Sequence, residues 1–342
     1  MNGLAFYWTA DDGRTWRTVE PLILRGADVI AKVGDVVYAG PGYVWMALND
    51  IIGSKVVNGS LRYATIARTA DGGHSWHESA PPECSHQCGE MRLSFVNAKQ
   101  GFVLTASGNE GKLDRLFATA NGGATWRLVG RAPFVGPITF ATTQDGWGVS
   151  DPTITFRPKG QTLSGAGLLY QSANGGRTWQ RVRLTPPSEY RGMPSIADSI
   201  MSFGPRRAVV PVRYRNPATG AQYLVVYTTA NAGRTWSTHS TPAAANLRAD
   251  QWGYDGAVAF TAPSPTGWLF FAGATLYATA DSGGSWRAIR SPLAPARPYD
   301  ISFTSLTIGW ALFPIGNGYG RNSGVALVRT TDGGKTWSAL AP

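Results

Sequence analysis

Charge is scarce in this chain. Asp, Glu, Lys and Arg make up 15% of its 342 residues, where a soluble domain ordinarily carries about a quarter. Cysteine is scarcer still: two residues, Cys84 and Cys88, both within the stretch PPECSHQCGE. So few thiols exclude a disulfide-framework fold. Even with His86 between them they fall short of the four ligands of a structural zinc. The spacing favours a local Cys84–Cys88 disulfide, with free thiols or a metal site using His86 as the alternatives. A disulfide points to work outside the cytosol. No apolar run approaches the ~20 residues that cross a bilayer as a helix. The opening MNGLAFYWTADDG lacks a basic segment followed by an apolar one, so it does not read as a signal peptide. Also missing are a glycine-rich phosphate loop between strand and helix, an HExxH zinc motif and a GxSxG nucleophile turn. No cofactor and no metal are expected.

What the chain does have is punctuation and aromatic mass: 42 Gly, 22 Pro, 13 Trp, 13 Tyr and 13 Phe. That mixture suits many short strands joined by turns around a sizeable core. The formal charge is +10, which favours anionic partners such as an acidic glycan or an acidic protein segment. Nucleic acid is not expected, because no nucleic-acid-binding motif accompanies the charge and no Lys/Arg run exceeds two residues. Nothing in the composition sets an oligomeric state.

One octapeptide returns seven times: TADDGRTW, TADGGHSW, TANGGATW, SANGGRTW, TANAGRTW, TADSGGSW and TTDGGKTW, ending at Trp16, Trp76, Trp126, Trp179, Trp236, Trp286 and Trp337. The tryptophans are 50 to 60 residues apart, the period of a propeller blade or solenoid repeat. Within a repeat the pattern is two short apolar strands, a third strand, the octapeptide turn and a fourth strand, as in YDISFTS, LTIGWALFPI, GVALVRT and TWSAL. A glycine–aromatic pair opens the second strand at Gly101-Phe102, Gly146-Trp147, Gly267-Trp268 and Gly309-Trp310. Four strands per ~50 residues describe one four-stranded antiparallel blade of an all-β propeller spanning 1–342 as a single domain.

The turn has a mechanical reading. The third-position Asp11, Asp71, Asn121, Asn174, Asn231, Asp281 or Asp332 accepts backbone N–H groups two residues on. The fifth-position glycine permits positive φ. The Trp wedges against a neighbouring sheet with its indole N–H bonded. Seven copies argue for a fastener, since chemistry needs one site. A single carboxylate per turn is also too few for calcium.

These octapeptides resemble the Asp-box, or BNR repeat, of sialidases and related bacterial propellers. The regular repetition and the GW strands are most similar to the photosystem II assembly factor-like group. That resemblance implies a non-catalytic binding or assembly scaffold, secreted, periplasmic or on the cell surface. Its alternative implication is a glycoside hydrolase of exo-α-sialidase type, in which arginines clamp a sugar carboxylate and a Tyr/Glu pair supplies the nucleophile. The sialidase R-I-P element near the first blade is absent; ARPYD around Arg297 lies in another repeat and lacks the isoleucine. The first box is preceded only by MNGLAFYW. Seven boxes predict seven blades with an incomplete first blade and further residues upstream, the alternative being six blades with an extra N-terminal hairpin.

In such a fold ligands are expected at the strand ends opposite the boxes, where connecting loops converge. The residues placed there as a ligand-binding face are Arg131, Arg191, Arg248, Trp252, Tyr254, Arg297, Tyr299, Tyr319 and Arg321. Basic charge is expected to gather on that face. For the sialidase alternative the candidate residues are Glu189, Tyr190 and Arg191, followed by Arg297, Tyr299 and Asp300; the scaffold reading assigns no catalytic residue.

Overall fold

The structure, a computed structural model, describes residues 6–19, 30–52, 64–82, 84, 88–107, 114–150, 168–242, 258–292, 298–315 and 324–340. Its described strands pair antiparallel throughout. They fall into two compact units that divide after Val182. The first holds an N-terminal hairpin (Phe6–Trp8 with Arg17–Val19) and three sheets. These are blade 1 (Ile30–Tyr38, Val44–Ile52, Thr65–Thr69, His77–Ser79), blade 2 (Cys88–Phe95, Gly101–Ser107, Asp114–Thr119, Arg127–Ala132) and blade 3 (Ile138–Phe140, Gly146–Val149, Leu169–Ser172, Gln180–Val182). The second unit holds blade 4, whose first strand is broken into Ser195–Ala197 and Met201–Ser202 before Ala208–Arg215, Gln222–Thr229 and Ser237–Ser240. It continues with blade 5 (Phe260–Thr261, Trp268–Ala272, Thr275–Thr279, Arg287–Arg290) and blade 6 (Asp300–Phe303, Gly309–Ile315, Gly324–Thr330, Ser338–Leu340).

The fold is the expected all-β propeller of four-stranded blades, and six are described. This matches the alternative of six blades plus a hairpin and corrects the seven-fold expectation. The reason is local. A box closes the hairpin between a third and a fourth strand, and the first box closes only such a hairpin. Box count therefore reports hairpins, not complete sheets.

Blade stacking explains the glycine–aromatic pairs. In blades 2, 3 and 6 the glycine that opens the second strand lies opposite Phe95, Phe140 and Phe303. A Cβ on Gly101, Gly146 or Gly309 would sit 2.5, 2.4 and 2.4 Å from those rings, so only glycine lets the ring fold across the strand. The freed ring reaches the preceding blade: Phe95 stacks on Trp45 at 3.8 Å and Phe140 on Phe102 at 3.7 Å. The Gly267-Trp268 pair is not equivalent. Here Trp268, not the glycine, pairs with the box residue Thr279. Its buried indole packs against Val209 and Val226 of blade 4 with Ala262 beside it. Blade 5 thus fills with one tryptophan the space that a phenylalanine fills elsewhere.

Polar latches supplement the stacking in the first unit. Asp35 of blade 1 accepts the Leu93 N–H at 2.9 Å and pairs with Arg92 at 3.1 Å, while buried Asn49 accepts the Met91 N–H. The Ser94 hydroxyl accepts the Phe140 N–H at 2.8 Å. Each latch satisfies a backbone group of the next blade's first strand.

Candidate functional site

The seven boxes share one hydrogen-bond pattern. The first-position hydroxyl, from Thr9 to Thr330, accepts the N–H of positions three and five and donates its own proton to the third-position side chain. That side chain accepts the N–H of position seven, four residues on and not the two anticipated from Asx turns. The cause is backbone conformation. Positions four and five are both left-handed, with φ of 58–74° and 76–87°, which curls the chain so that the later N–H points at the carboxyl. Position four is Asp12, Ala232 and Ser282 in three boxes, the only non-glycine residues with positive φ among those described. In the aspartate boxes the seventh-position hydroxyl donates to the carboxylate. In the asparagine boxes the amide donates to that hydroxyl. The two residue types are interchangeable because the hydroxyl reverses its role.

The tryptophans depart from expectation in one respect. The indole N–H of Trp16 donates to the Gly13 carbonyl and that of Trp126 to the Ser79 hydroxyl. Those of Trp76, Trp179, Trp286 and Trp337 are buried without a partner. Edge-on ring packing, as of Trp337 on Phe303 at 6.1 Å, takes the place of a hydrogen bond.

The aspartates of the boxes carry a pH signature. Hydrogen bonds from Thr15 hold Asp11 at about 2, those from Ser285 hold Asp281 at about 2, and those from Thr336 hold Asp332 at about 2. Ser75 lowers Asp71 further. A carboxyl whose pKa is depressed by folding stabilises the native state above its unfolded pKa of about 3.9, and that contribution disappears as pH falls toward its folded value. The unfolding midpoint should therefore drop between pH 4 and pH 2. Replacing Asp11, Asp281 and Asp332 together by asparagine should flatten this drop, as denaturant titrations at a series of pH values would show. Equal slopes in variant and wild type would remove the boxes as its source.

At the other end of the strands, blade 4 gathers the most chemistry. A short turn, Ser188–Tyr190, sets the Tyr190 ring against Tyr214 (5.2 Å, 20°) and Tyr223 (5.2 Å, 31°). Tyr214 and Tyr223 are cross-strand partners in the second and third strands, so their rings share one face of the sheet. Behind them the Tyr214 and Tyr227 hydroxyls lie 2.6 Å apart, and Tyr227 donates to the Thr185 carbonyl at 3.0 Å. Arg213 points to the opposite face of its strand. There it pairs bidentately with Asp198, at 2.7 and 2.6 Å, both side chains being 6% exposed. Arg191 and Arg215 remain exposed around the tyrosines.

This arrangement tests the catalytic alternative. Desolvation first, then the Glu189 charge, raises the Tyr190 phenol above its ordinary pKa, whereas a nucleophilic tyrosine needs its proton loosened. The Glu189 carboxylate accepts from Ser188, not from Tyr190. Asp300 begins the first strand of blade 6, and Tyr299, just before it, is exposed. Desolvation raises the Asp300 pKa against the Ile301 N–H bond. Among the described residues no hydrogen bond, ion pair or ring contact joins Tyr299 or Asp300 to the 188–191 turn. Arg131 is the penultimate residue of the last strand of blade 2, exposed and opposite Arg115. Arg248, Trp252, Tyr254, Arg297, Tyr319 and Arg321 lie outside the described residues. Tyr214, Tyr223 and Asp198 were not singled out from sequence, because cross-strand pairing leaves no mark in adjacency. Cys84 is buried and disulfide-bonded, and Cys88 is the chain's other cysteine.

Among the described residues, basic side chains also stand at the box end of the strands. Arg14, Arg177, Arg234 and Lys335 occupy the sixth box position, and Arg17, Arg127 and Arg287 follow the box tryptophan. The turn backbone explains this: its carbonyls attract guanidinium groups, as where Arg17 donates to Gly72 and Arg177 to Asn174. A shallow recess of about 200 Å³ between blades 2 and 3 at this end is lined by Arg127 and Arg177.

The BNR/Asp-box repeat family matches residues 328–339. No curated protein matches the chain in sequence. Among solved structures, one titled "YCF48 bound to D1 peptide" is 16% identical with a TM-score of 0.53, covering 94% of this chain and 87% of that one. A GH74 xyloglucanase from Xanthomonas campestris is 15% identical with a TM-score of 0.53, covering 92% of this chain and 46% of that one. A structure from a study of two prolyl endopeptidases is 10% identical with a TM-score of 0.58, covering 97% and 44%. The chain therefore spans less than half the length of the last two, and likeness at these identities concerns the fold. With seven box turns of one geometry and six blades among the described residues, the chain is an all-β propeller whose last box turn matches the BNR/Asp-box repeat.

Proposed function

We infer that this propeller is a non-catalytic scaffold that holds an acidic segment of a partner protein at the blade 4 end. The observation that carries the reading is the pair of half-buried rings Tyr190 and Tyr223, backed by buried Tyr214, beside exposed Arg191. Tyrosine offers a flat, rigid, half-apolar platform at low entropic cost, and arginine reads carboxylates by paired hydrogen bonds. The buried Arg213 is paired with Asp198, so a ligand meets Arg191, the exposed arginine next to Tyr190. A protein of the same fold holds a peptide, which supports a polypeptide over an anionic glycan as the ligand. The disulfide at Cys84 supports a secreted, periplasmic or cell-surface location.

The test is a binding titration with a labelled Asp/Glu-rich peptide containing aromatic residues, alongside a fluorogenic sialoside. The expected result is salt-sensitive binding, weakened at least tenfold by Arg191→Ala and by Tyr190→Ala, and no sialoside turnover. Turnover abolished by Tyr190→Phe would establish the exo-α-sialidase reading instead. Binding unchanged in both alanine variants would remove this end of blade 4 as the site.

A further inference from the structure

The arginines that follow box tryptophans obey a pattern with one exception. Three boxes are followed directly by arginine: Arg17, Arg127 and Arg287. Arg17, on the N-terminal hairpin, donates to the Gly72 carbonyl in the box of blade 1. Arg287 of blade 5 lies 3.0 Å from the place that a Cβ on Gly333 would take, in the box of blade 6. Each reaches the fourth position of the next box, whose third position is an aspartate, Asp71 or Asp332. Hydrogen bonds within the turn keep both carboxylates ionised. Each of these arginines therefore has a counter-charge in the turn it meets.

Arg127 is the exception. The next box, in blade 3, has Asn174 at its third position, and the box that Arg127 follows has Asn121. Neither turn brings a carboxylate. The place beside the fourth-position glycine is filled from within the same box: the Arg177 guanidinium lies 3.8 Å from a Cβ on Gly175 and donates to the Asn174 carbonyl at 2.8 Å. Arg127 and Arg177 thus both line the recess of about 200 Å³ between blades 2 and 3, which lies wholly within the first unit. Among the described residues neither forms an ion pair. Asp145, in the adjoining loop, accepts the Thr142 hydroxyl at 2.7 Å, and exposed Lys99 offsets its charge. Two like charges facing one small space carry an electrostatic cost that a bound anion removes.

We propose that this recess binds a tetrahedral oxyanion: a phosphate group, free or as the monoester of a small molecule. Its donors come from separate walls. Arg127 opens the fourth strand of blade 2, Arg177 stands in the box of blade 3, and Gln100 and Gln144 come from the loops that precede the second strands of the two blades. The Gln100 amide oxygen accepts from Asn97 at 2.9 Å, which leaves its N–H groups for a ligand. One bidentate arginine satisfies a carboxylate, whereas a phosphate monoester presents three terminal oxygens and about −1.5 to −2 charges at pH 7. That matches two guanidinium groups. The volume falls below the ~300 Å³ of ordinary small-molecule sites, so the ligand is the phosphate and the few atoms that carry it. An equivalent recess between blades 4 and 5 has Ser237 in place of Arg127 and Ser282 in place of Gly175, with Arg207 its one arginine. Lacking the arginine pair, it does not share the proposed chemistry. The phosphate site lies in the first unit and is independent of the tyrosines of blade 4.

Calorimetric titration of the full chain at low salt tests the site, with inorganic phosphate in one arm, glycerol 3-phosphate in a second and acetate in a third. Saturable binding of a phosphate is expected, with Kd below about 1 mM. Arg127→Gln and Arg177→Gln should each weaken it at least tenfold. Asn174→Asp should do the same, because it restores the counter-charge of the blade 1 and blade 6 boxes while keeping their turn geometry. Arg234→Gln, at the same box position as Arg177 but in blade 4, should leave binding unchanged. Unchanged unfolding midpoints show that the variants fold. Tighter binding of the ester makes a phosphorylated small molecule the ligand, and equal or weaker binding makes it free phosphate; either result upholds the site. No saturation up to about 10 mM, acetate bound as tightly as phosphate, indifference to Arg127→Gln and Arg177→Gln, or an equal loss in Arg234→Gln overturns the proposal.

Discussion

Replacing Trp126 with alanine is expected to destabilise the protein by about 3–5 kcal/mol, the range for emptying a buried large aromatic site. The indole is 6% exposed and sits in the cluster joining blades 1 and 2, edge-on to Phe95 at 6.1 Å. Its N–H donates to the Ser79 hydroxyl, which itself donates to the carbonyl of Gly123 in the same box. The substitution therefore removes packing between two blades and loosens the turn that aims the ring. Thr18→Ala, at an exposed position of the N-terminal hairpin, should change stability by no more than about 0.5 kcal/mol. Chemical denaturation of both variants checks the contrast. Similar small losses would mean that the box tryptophan does not carry the interface.

The second large effect is expected at the buried ion pair of blade 4. Asp198→Ala strands the Arg213 guanidinium, 6% exposed, without its bidentate acceptor. The Gln222 side-chain amide oxygen, 3.4 Å from the guanidinium, is a neutral acceptor and supplies no counter-charge. Breaking one side of such a pair costs about 3–5 kcal/mol, because a charge stays buried without a counter-charge. The joint replacement Arg213→Met with Asp198→Leu should recover most of that loss, since desolvation consumes most of what the pair gains. A double-mutant cycle by urea denaturation measures both. If Asp198→Ala alone costs under about 1 kcal/mol, the pair is not the closed unit its geometry indicates.

The two effects fall on different sides of what the chain discloses in its own order. Trp126 is legible because its constraint is local. The octapeptide from Thr119 to Trp126 makes most of its hydrogen bonds within itself, so the same turn recurs wherever the same residues recur. The third-position side chain bonds four residues on, not the two that residue types suggest, since a left-handed pair of backbone angles is not visible in residue names. Arg213 and Asp198 are fifteen positions apart, Arg213 on the second strand of blade 4 and Asp198 in the break of the first strand that pairs with it. Their meeting has no local cause. The tyrosine stack is similar: Tyr190 stood out beside Glu189 and Arg191, yet its partners Tyr214 and Tyr223 come from cross-strand register.

Glycine–aromatic pairs mark the boundary most clearly. Four look alike in the sequence. At Gly101, Gly146 and Gly309 the glycine makes room for a phenylalanine ring, while at Gly267-Trp268 the register is one residue off and the tryptophan itself fills that room. A one-residue shift sends a side chain to the opposite face of a strand, so the same dipeptide does two jobs.

By itself, the sequence determined the class of fold, the place of every box turn and the strand spacing, because each depends on contacts within a few residues. The tertiary structure decided the number of complete blades, which aromatic rings stack between them, and which arginines are spent on buried carboxylates. Those features depend on which strands lie side by side, and that is settled by burial across distant parts of the chain.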